Sequence, residues 1–479
     1  MSKAIEGLKP ELVWKYFAEI ARIPRCSGQE AAVGKYVMST AQRLGMKVRV
    51  DEVGNVVAKK PASPGHEHCR GVVLQGHLDM VCEKNKEKVH DFSKDPIELV
   101  RKGNVLMADG TTLGADNGIA VATSLAIMED RSLVHGPLEF LFTIDEERGL
   151  LGAKNLRSDF LEGRTLLNLD SEEEGALYVG CAGGRDTVGT WKLSFDPGSA
   201  QSTAAMLRVT GLRGGHSGLE IDKGRGNAIK ILNRALWKLT SQGARLASID
   251  GGSKRNAIPR EAEAKLFIPK KAWPECLRTV EAISLAIRAE FATVDPDLQI
   301  ALSPLPGARK GKVVKSALQK RIYRTISALP HGVTRMSPDI PGLVETSTNV
   351  AVIATGKGKI TLQTSQRSSV ASEIVEICDT VAHVFELGGA TADQPEGYPG
   401  WKPNLDSEIL RIAKETYRSM YGKEPEVKAV HAGLECGIIG ERFPGMDMVS
   451  FGPTLEGVHS PEEKMYIDTV EHFWDYLLT

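Results

Sequence analysis

The sequence predicts an α/β protein: a mostly parallel sheet with flanking helices, interrupted by an inserted α+β segment. Three observations carry that reading. Short apolar runs end in acidic residues or histidine, as at 72–80, 138–147 and 165–170. Those runs alternate with stretches whose apolar residues recur at helical spacing, the pattern of strands and helices wound into one parallel sheet. The middle of the chain has strand and helix patterns but no such strand-end clusters. At 479 residues the chain exceeds what one core supports. It divides into residues 1–184 with 392–479, and an inserted domain at 185–391.

Residues 10–25 and 29–44 carry apolar residues at helical spacing, closed by turn chemistry at Pro24 to Gly28 and at Gly45. Residues 47–51 and 55–59 alternate like a hairpin around Val53-Gly54. After a loop at 61–69, the run Val72-Val73-Leu74-Gln75-Gly76-His77 reads as a buried central strand, because strands covered on both faces are continuously apolar. A short strand at 104–107 leads to a turn-rich loop, 110–118, that opens into a helix over 119–128. Residues 138–144 and 165–169 are further strands, ending in Asp145-Glu146-Glu147 and in Asp170. In the inserted domain, strands are expected at 204–209 and 264–268, and an amphipathic helix at 227–239. Helix, strand, strand and helix follow at 314–329, 349–354, 359–364 and 370–387.

Composition excludes several classes. The chain is 42% hydrophobic and 25% charged, ordinary for a globular protein. Sixty basic residues against sixty-one acidic ones, with no long run of either sign, argue against nucleic acid or an anionic membrane as partner. No apolar stretch approaches about eighteen residues, and the first ten residues hold no apolar signal core, so a cytoplasmic location is expected. The seven cysteines are odd in number, scattered and never in a CxxC pair, which predicts free thiols.

In an open parallel sheet, ligands bind beyond the carboxyl ends of the strands. His77 and Asp79, Asp116, Glu146 and Glu147, and Asp170 all fall there. Five carboxylates converging on one sheet end repel unless a cation binds among them. Carboxylate with imidazole suits zinc, with cobalt or manganese as substitutes, better than the all-oxygen sites of magnesium and calcium. The set can supply one bridging carboxylate and two terminal ligand sets, hence two divalent ions. A second imidazole, His459, lies far along the chain in Gly457-Val458-His459-Ser460.

Six motifs, taken in order, are similar to those of the dimetal peptidases that include carnosinase and tripeptide aminopeptidase: Gly76-His77-Leu78-Asp79, Gly114-Ala115-Asp116-Asn117-Gly118, Asp145-Glu146-Glu147, Asn168-Leu169-Asp170, Gly214-Gly215-His216-Ser217-Gly218 and Gly457-Val458-His459-Ser460. Within that family the chain most resembles the bacterial aminoacyl-histidine dipeptidases. The resemblance implies that His77 and Asp170 hold one metal, that Glu147 and His459 hold the other, and that Asp116 bridges them. It makes Asp79 the residue that orients His77, and Glu146 the general base. It turns the first domain into the catalytic one and the inserted domain into a lid through which a homodimer forms. His216 then serves as an oxyanion donor, and Asn256, Arg367 and Glu435 as substrate contacts. An Arg fork suits a peptide's terminal carboxylate. Aspartate at position 170 matches the dipeptidase branch, where carboxypeptidases and deacylases of the family carry glutamate. Asp-Met after His77 and Asn117 after Asp116 depart from the family's usual Asp-Val and Lys, and neither removes a ligand. The implied activity is hydrolysis of small unblocked peptides such as Xaa-His, with N-acyl amino acid deacylation or carboxypeptidase action as the alternative in the same family. A non-catalytic metal-binding scaffold is the reading from another class.

His66-Glu67-His68-Cys69 mimics a metal cluster but lies on a loop and lacks HExxH spacing. Gly224-Arg225-Gly226 reads as a helix start, and His431-Ala432-Gly433 as a loop. His90, His135, His331, His383 and His472 sit in no cluster.

Overall fold

The computed structural model describes residues 3–306 and 311–479, which form two compact units. The first comprises residues 1–180, 401–429 and 434–479; the second comprises 181–400 and 430–433.

The first unit is built on an eight-stranded sheet in the order Lys47–Val50, Val56–Lys60, Leu138–Thr143, Val72–His77, Thr165–Asn168, Asp447–Ser450, Ala176–Cys181 and Glu426–Val430. The four central strands, from Leu138–Thr143 to Asp447–Ser450, are parallel. The neighbouring strands Val56–Lys60 and Ala176–Cys181 run antiparallel to them. Val72–His77 is buried along almost its whole length, as a central parallel strand must be. The helix Ala115–Glu129 is apolar nearly all round and correspondingly buried. The amphipathic helices Glu11–Ile20 and Glu408–Tyr421 turn only one face inward. Ser407 caps the second of these by accepting from Leu410 N at 3.1 Å, and Gly422, at φ 67°, closes it.

A separate four-stranded antiparallel sheet sets the last sequence motif in place. Its order is Leu455–Glu456, Lys464–Tyr466, Val105–Ala108 and Leu99–Lys102. The loop carrying His459 is the connection between the first two of these strands, and the loop that carries Asp116 leaves the third.

The second unit is an antiparallel sheet whose main path runs Gln299–Pro304, Ser202–Thr210, Ala262–Pro269, Arg245–Gly251, Val344–Gly356, Lys359–Ser368, Gly183–Lys192 and Thr391–Asp393, with Gly332–Met336 beside Val344–Gly356. The helices Ala228–Thr240, Trp273–Glu290, Ser316–Ala328 and Ala371–Leu387 bury Ile229, Leu236, Ile287, Ile326 and Phe385 in its core, with Leu207, Leu266 and Leu362 from the sheet. Asn227 caps the first helix, its side chain accepting from Ile229 N and Lys230 N.

One expectation is corrected. Cys26 and Cys82 form a disulfide rather than remaining free thiols. The turn after the first helix runs beside the end of the central strand, with Met80 N donating to Arg25 O at 3.1 Å and Cys26 bridged to Met80. That pairing brings the two cysteines to a Cα separation of 5.6 Å. A spacing of 56 residues carries no local signal of it.

Candidate active site

At the carboxyl ends of the parallel strands, His77 Nε2 lies 3.0 Å from Asp116 Oδ1 and 3.4 Å from Asp170 Oδ1. His459 Nε2 lies 3.0 Å from Asp116 Oδ2 and 2.9 Å from Glu147 Oε2. The two oxygens of one carboxylate therefore face two different imidazoles. Two triads result, His77–Asp116–Asp170 and Asp116–Glu147–His459, each with its ligand atoms within 4.8 Å of one another; His77, Glu146 and Glu147 form another such group.

Local structure puts each side chain there. Gly114 takes φ 70° and begins the turn into the helix Ala115–Glu129, whose Asp116 and Asn117 depart from helical geometry and so turn out of the first turn. Asn117 joins two ligand strands, its Oδ1 accepting from His77 N at 3.2 Å and its Nδ2 donating to Leu169 O at 2.9 Å. A Cβ on Gly76 would collide with that same Asn117 oxygen, so glycine is required there. Asp145 and His459 adopt left-handed backbone, φ 49° and 62°, conformations that non-glycine residues hold only where the surroundings enforce them.

Asp79 is fully buried. Its Oδ1 lies 3.3 Å from His77 Nδ1 and accepts from Glu146 N at 3.0 Å, while its Oδ2 accepts from Glu147 N at 3.3 Å. Burial works against its ionisation, but His77 and these contacts outweigh it and hold the carboxyl at about 2. Burial pushes Glu146 well above the ordinary glutamate value, with Asp170, Glu435 and Glu147 adding to the effect.

The residues fit a pair of cations. With its Nδ1 turned to Asp79, a neutral His77 would aim an Nε2 lone pair at two carboxylate oxygens. Without a cation the carboxylates instead favour the charged imidazoles: bonds to Asp116 and Glu147 push His459 up to about 11, and Asp170 and Asp116 outweigh burial at His77. A divalent ion in place of each such proton satisfies both sides of the contact. Glu147 Oε1 is buried without a hydrogen-bond partner, which suits a donor atom to a cation.

Glu435 lies in the same unit, fully buried. Its Oε2 accepts from Gln75 Nε2 and Thr143 Oγ1, both at 2.6 Å, and burial raises it to about 7. Glu172 was not singled out by sequence reasoning. Burial raises it to about 8, and the nearby Asp116 and Asp170 add to that. Arg25 and Glu463 were also missed. Arg25, 3% exposed, donates to Leu78 O at 3.0 Å, to Asp79 O at 2.9 Å and to Gly114 O. It sits in a turn that gives no chemical cue, whereas Glu463 lies within reach of the His459 motif.

His216, Asn256 and Arg367 belong to the second unit. His216 Nδ1 accepts from Gly218 N at 3.2 Å and Leu219 N at 3.1 Å, which leaves the proton on Nε2. Burial and the Arg367 charge lower it to about 4, so the ring is neutral near pH 7. Asn256 is exposed, and its carbonyl accepts from Ser217 N at 2.9 Å. Arg367 is buried and donates to Tyr398 Oη at 3.0 Å.

A parallel sheet with paired imidazole–carboxylate triads at its carboxyl end defines a dinuclear metallohydrolase. Residues 73–478 match the model of peptidase family M20/M25/M40, and the chain belongs to that family as a dinuclear metallopeptidase. It is 40% identical over 474 residues to the cytosol non-specific dipeptidase of Escherichia coli strain K12, covering 99% of this chain and 97% of that one. The crystal structure of aminoacylhistidine dipeptidase from Vibrio alginolyticus superposes with a TM-score of 0.90 at 42% identity, over 99% and 96% of the two chains. Aminopeptidase PepT from Bacillus cereus shares the fold at a TM-score of 0.56 and 16% identity, over 98% and 97%.

Proposed function

We propose that this protein is a cytoplasmic dipeptidase that hydrolyses unblocked dipeptides, Xaa-His among them. The observation that carries the reading is Asp116, whose two oxygens each stand 3.0 Å from a different imidazole. His77 and Asp170 would hold one ion, Glu147 and His459 the other, and Asp116 would bridge them. Carboxylate and imidazole donors favour zinc, with cobalt or manganese able to substitute. Two such ions, when bound, polarise the scissile carbonyl and acidify a water molecule.

The remaining chemistry belongs to the chain. Glu146 takes the proton from that water and passes it to the leaving amine, a role suited to a carboxyl held above its ordinary range. Asp79 fixes both the His77 tautomer and the backbone of the two glutamates. His216, neutral with its proton on Nε2, donates to the carbonyl oxygen as negative charge develops there. Arg367 pairs with the dipeptide's terminal carboxylate, and Asn256 contacts the substrate. Glu435 is the third substrate contact: its Oε2 is held by Gln75 and Thr143, while its Oε1 is without a hydrogen-bond partner. Residues 185–391 act as a lid and dimerisation domain.

The cytoplasmic assignment draws on the relative named for the cytosol, and no helix among the described residues is long and apolar enough to cross a membrane.

The deciding experiment compares Gly-His and β-Ala-His with their N-acetylated and C-amidated forms, after chelation and readdition of zinc, cobalt or manganese. Metal-dependent cleavage of only the free dipeptides is the expected result. Preference for the N-acetylated substrate would move the chain to the deacylase branch.

A further inference from the structure

Glu463 is 2% exposed, and its carboxylate is spent on one short stretch of backbone. Oε2 accepts from Leu113 N at 2.7 Å and Gly114 N at 3.0 Å; Oε1 accepts from Ala115 N at 2.8 Å and Asp116 N at 3.4 Å. These are successive amides at a helix start, where N–H groups have no partner within the helix and form an anion-binding nest. Across the same turn, Arg25 donates to Gly114 O. The turn that presents Asp116 is therefore held by a carboxylate on its amide side and a guanidinium at a carbonyl.

Glu463 also closes the loop that presents His459. Its own N–H donates to Ser460 O at 3.0 Å, and Ser460 Oγ donates to Gly457 O at 2.7 Å. The four residues from Ser460 to Glu463, directly after His459, thus form a short closed turn whose far end is anchored to the amides of Leu113 to Asp116. One side chain joins the two loops whose tips meet at His459 Nε2 and Asp116 Oδ2.

We propose that Glu463 is a positioning residue that sets His459 against Asp116, and so builds the ion site of Asp116, Glu147 and His459 in preference to that of His77, Asp116 and Asp170. The inference rests on the dinuclear reading above. Glutamine at 463 keeps the shape but has a single acceptor oxygen, so two amides face an NH2 group instead. Aspartate keeps the charge and both acceptors but withdraws them by about 1.5 Å, one carbon–carbon bond.

The test titrates metal-free protein with Co²⁺, followed by visible absorption, alongside thermal unfolding of the metal-free protein and steady-state kinetics. Wild type and the exposed-neighbour control Glu462→Gln are expected to take up two equivalents tightly. Glu463→Gln is expected to bind one equivalent unchanged and the other about 10- to 100-fold more weakly, the usual effect of losing a group that orients a ligand, with kcat reduced and KM little changed. Glu463→Asp should recover part of the second affinity, and it serves as the readout if the glutamine variant fails to fold. Two equivalents bound by Glu463→Gln with wild-type affinity would overturn the proposal, as would a lower unfolding temperature with both affinities intact. Wild type binding a single equivalent would remove the dinuclear reading and this inference with it.

Discussion

Replacing Asp79 with asparagine is the sharpest probe of how the site is held together, because one isosteric change meets three partners at once. In the native protein Oδ1 faces His77 Nδ1 at 3.3 Å and accepts from Glu146 N at 3.0 Å, and Oδ2 accepts from Glu147 N at 3.3 Å. An asparagine that keeps its oxygen at the Oδ1 position turns its NH2 toward Glu147 N–H, donor against donor. The flipped rotamer rescues that amide but abandons His77 and Glu146. Either way a donor is left unsatisfied at a fully buried position, a cost of about 1–3 kcal/mol. Loss of a group that orients a ligand lowers metal affinity or activity by about 10- to 100-fold, which is about 1.4–2.7 kcal/mol at 1.36 kcal/mol per decade. Since Asp79 fixes the proposed base and two proposed ligands together, kcat/KM for Gly-His and the affinity for Co²⁺ should both fall within that range. An Asp79→Asn enzyme with kcat/KM within twofold of wild type and unaltered metal affinity would refute the positioning argument.

Glu146→Gln should retain both equivalents of metal by elemental analysis yet lose about 10²- to 10⁴-fold in kcat, the usual contribution of a general base; near-normal turnover would reassign the base. His216→Ala should lower kcat by about 10²- to 10³-fold with a smaller rise in KM, and unchanged kinetics would remove its role as oxyanion donor. In the second unit, burial and the Arg367 charge push the 6%-exposed His431 down to about 3, against an ordinary histidine value near 6.5. Below pH 6.5 the unfolded chain binds a proton that the folded chain refuses. The stability associated with this group is therefore complete above pH 6.5 and declines as pH falls toward 3. At pH 4.5 the loss reaches about 2.7 kcal/mol. Denaturant unfolding of His431→Gln should show a correspondingly flatter acid slope, and identical slopes in both proteins would exclude the effect.

What could be read from the sequence is what depends on neighbours along the chain. The strand Val72–His77 announces itself because a central parallel strand is apolar without interruption, and the structure buries it accordingly. The helices Ala228–Thr240, Ser316–Ala328 and Ala371–Leu387 follow equally from spacing. His77, Asp79, Asp116, Glu146, Glu147 and Asp170 suggest a single cluster because strands of one parallel sheet deliver their ends to one side. His459 enters on motif resemblance alone, since nothing local ties residue 459 to residue 77. The strands Gly183–Lys192, Arg245–Gly251 and Gln299–Pro304 escaped notice; the first carries three glycines and mixed polar residues, and the last is mostly exposed. Arg25, the amide nest around Glu463 and the Cys26–Cys82 disulfide were illegible for a different reason. Each is a contact between segments separated by 53 to about 350 residues: Arg25 and the disulfide depend on the turn that runs beside the end of Val72–His77, and the nest on how the small sheet of Leu455–Glu456, Lys464–Tyr466 and Val105–Ala108 closes the chain on itself. A buried carboxylate and a buried guanidinium in separate loops look like surface charges until that closure removes water from both. The residues that position the ligands are therefore less legible than the ligands, because their chemistry is generic and only their burial makes it specific.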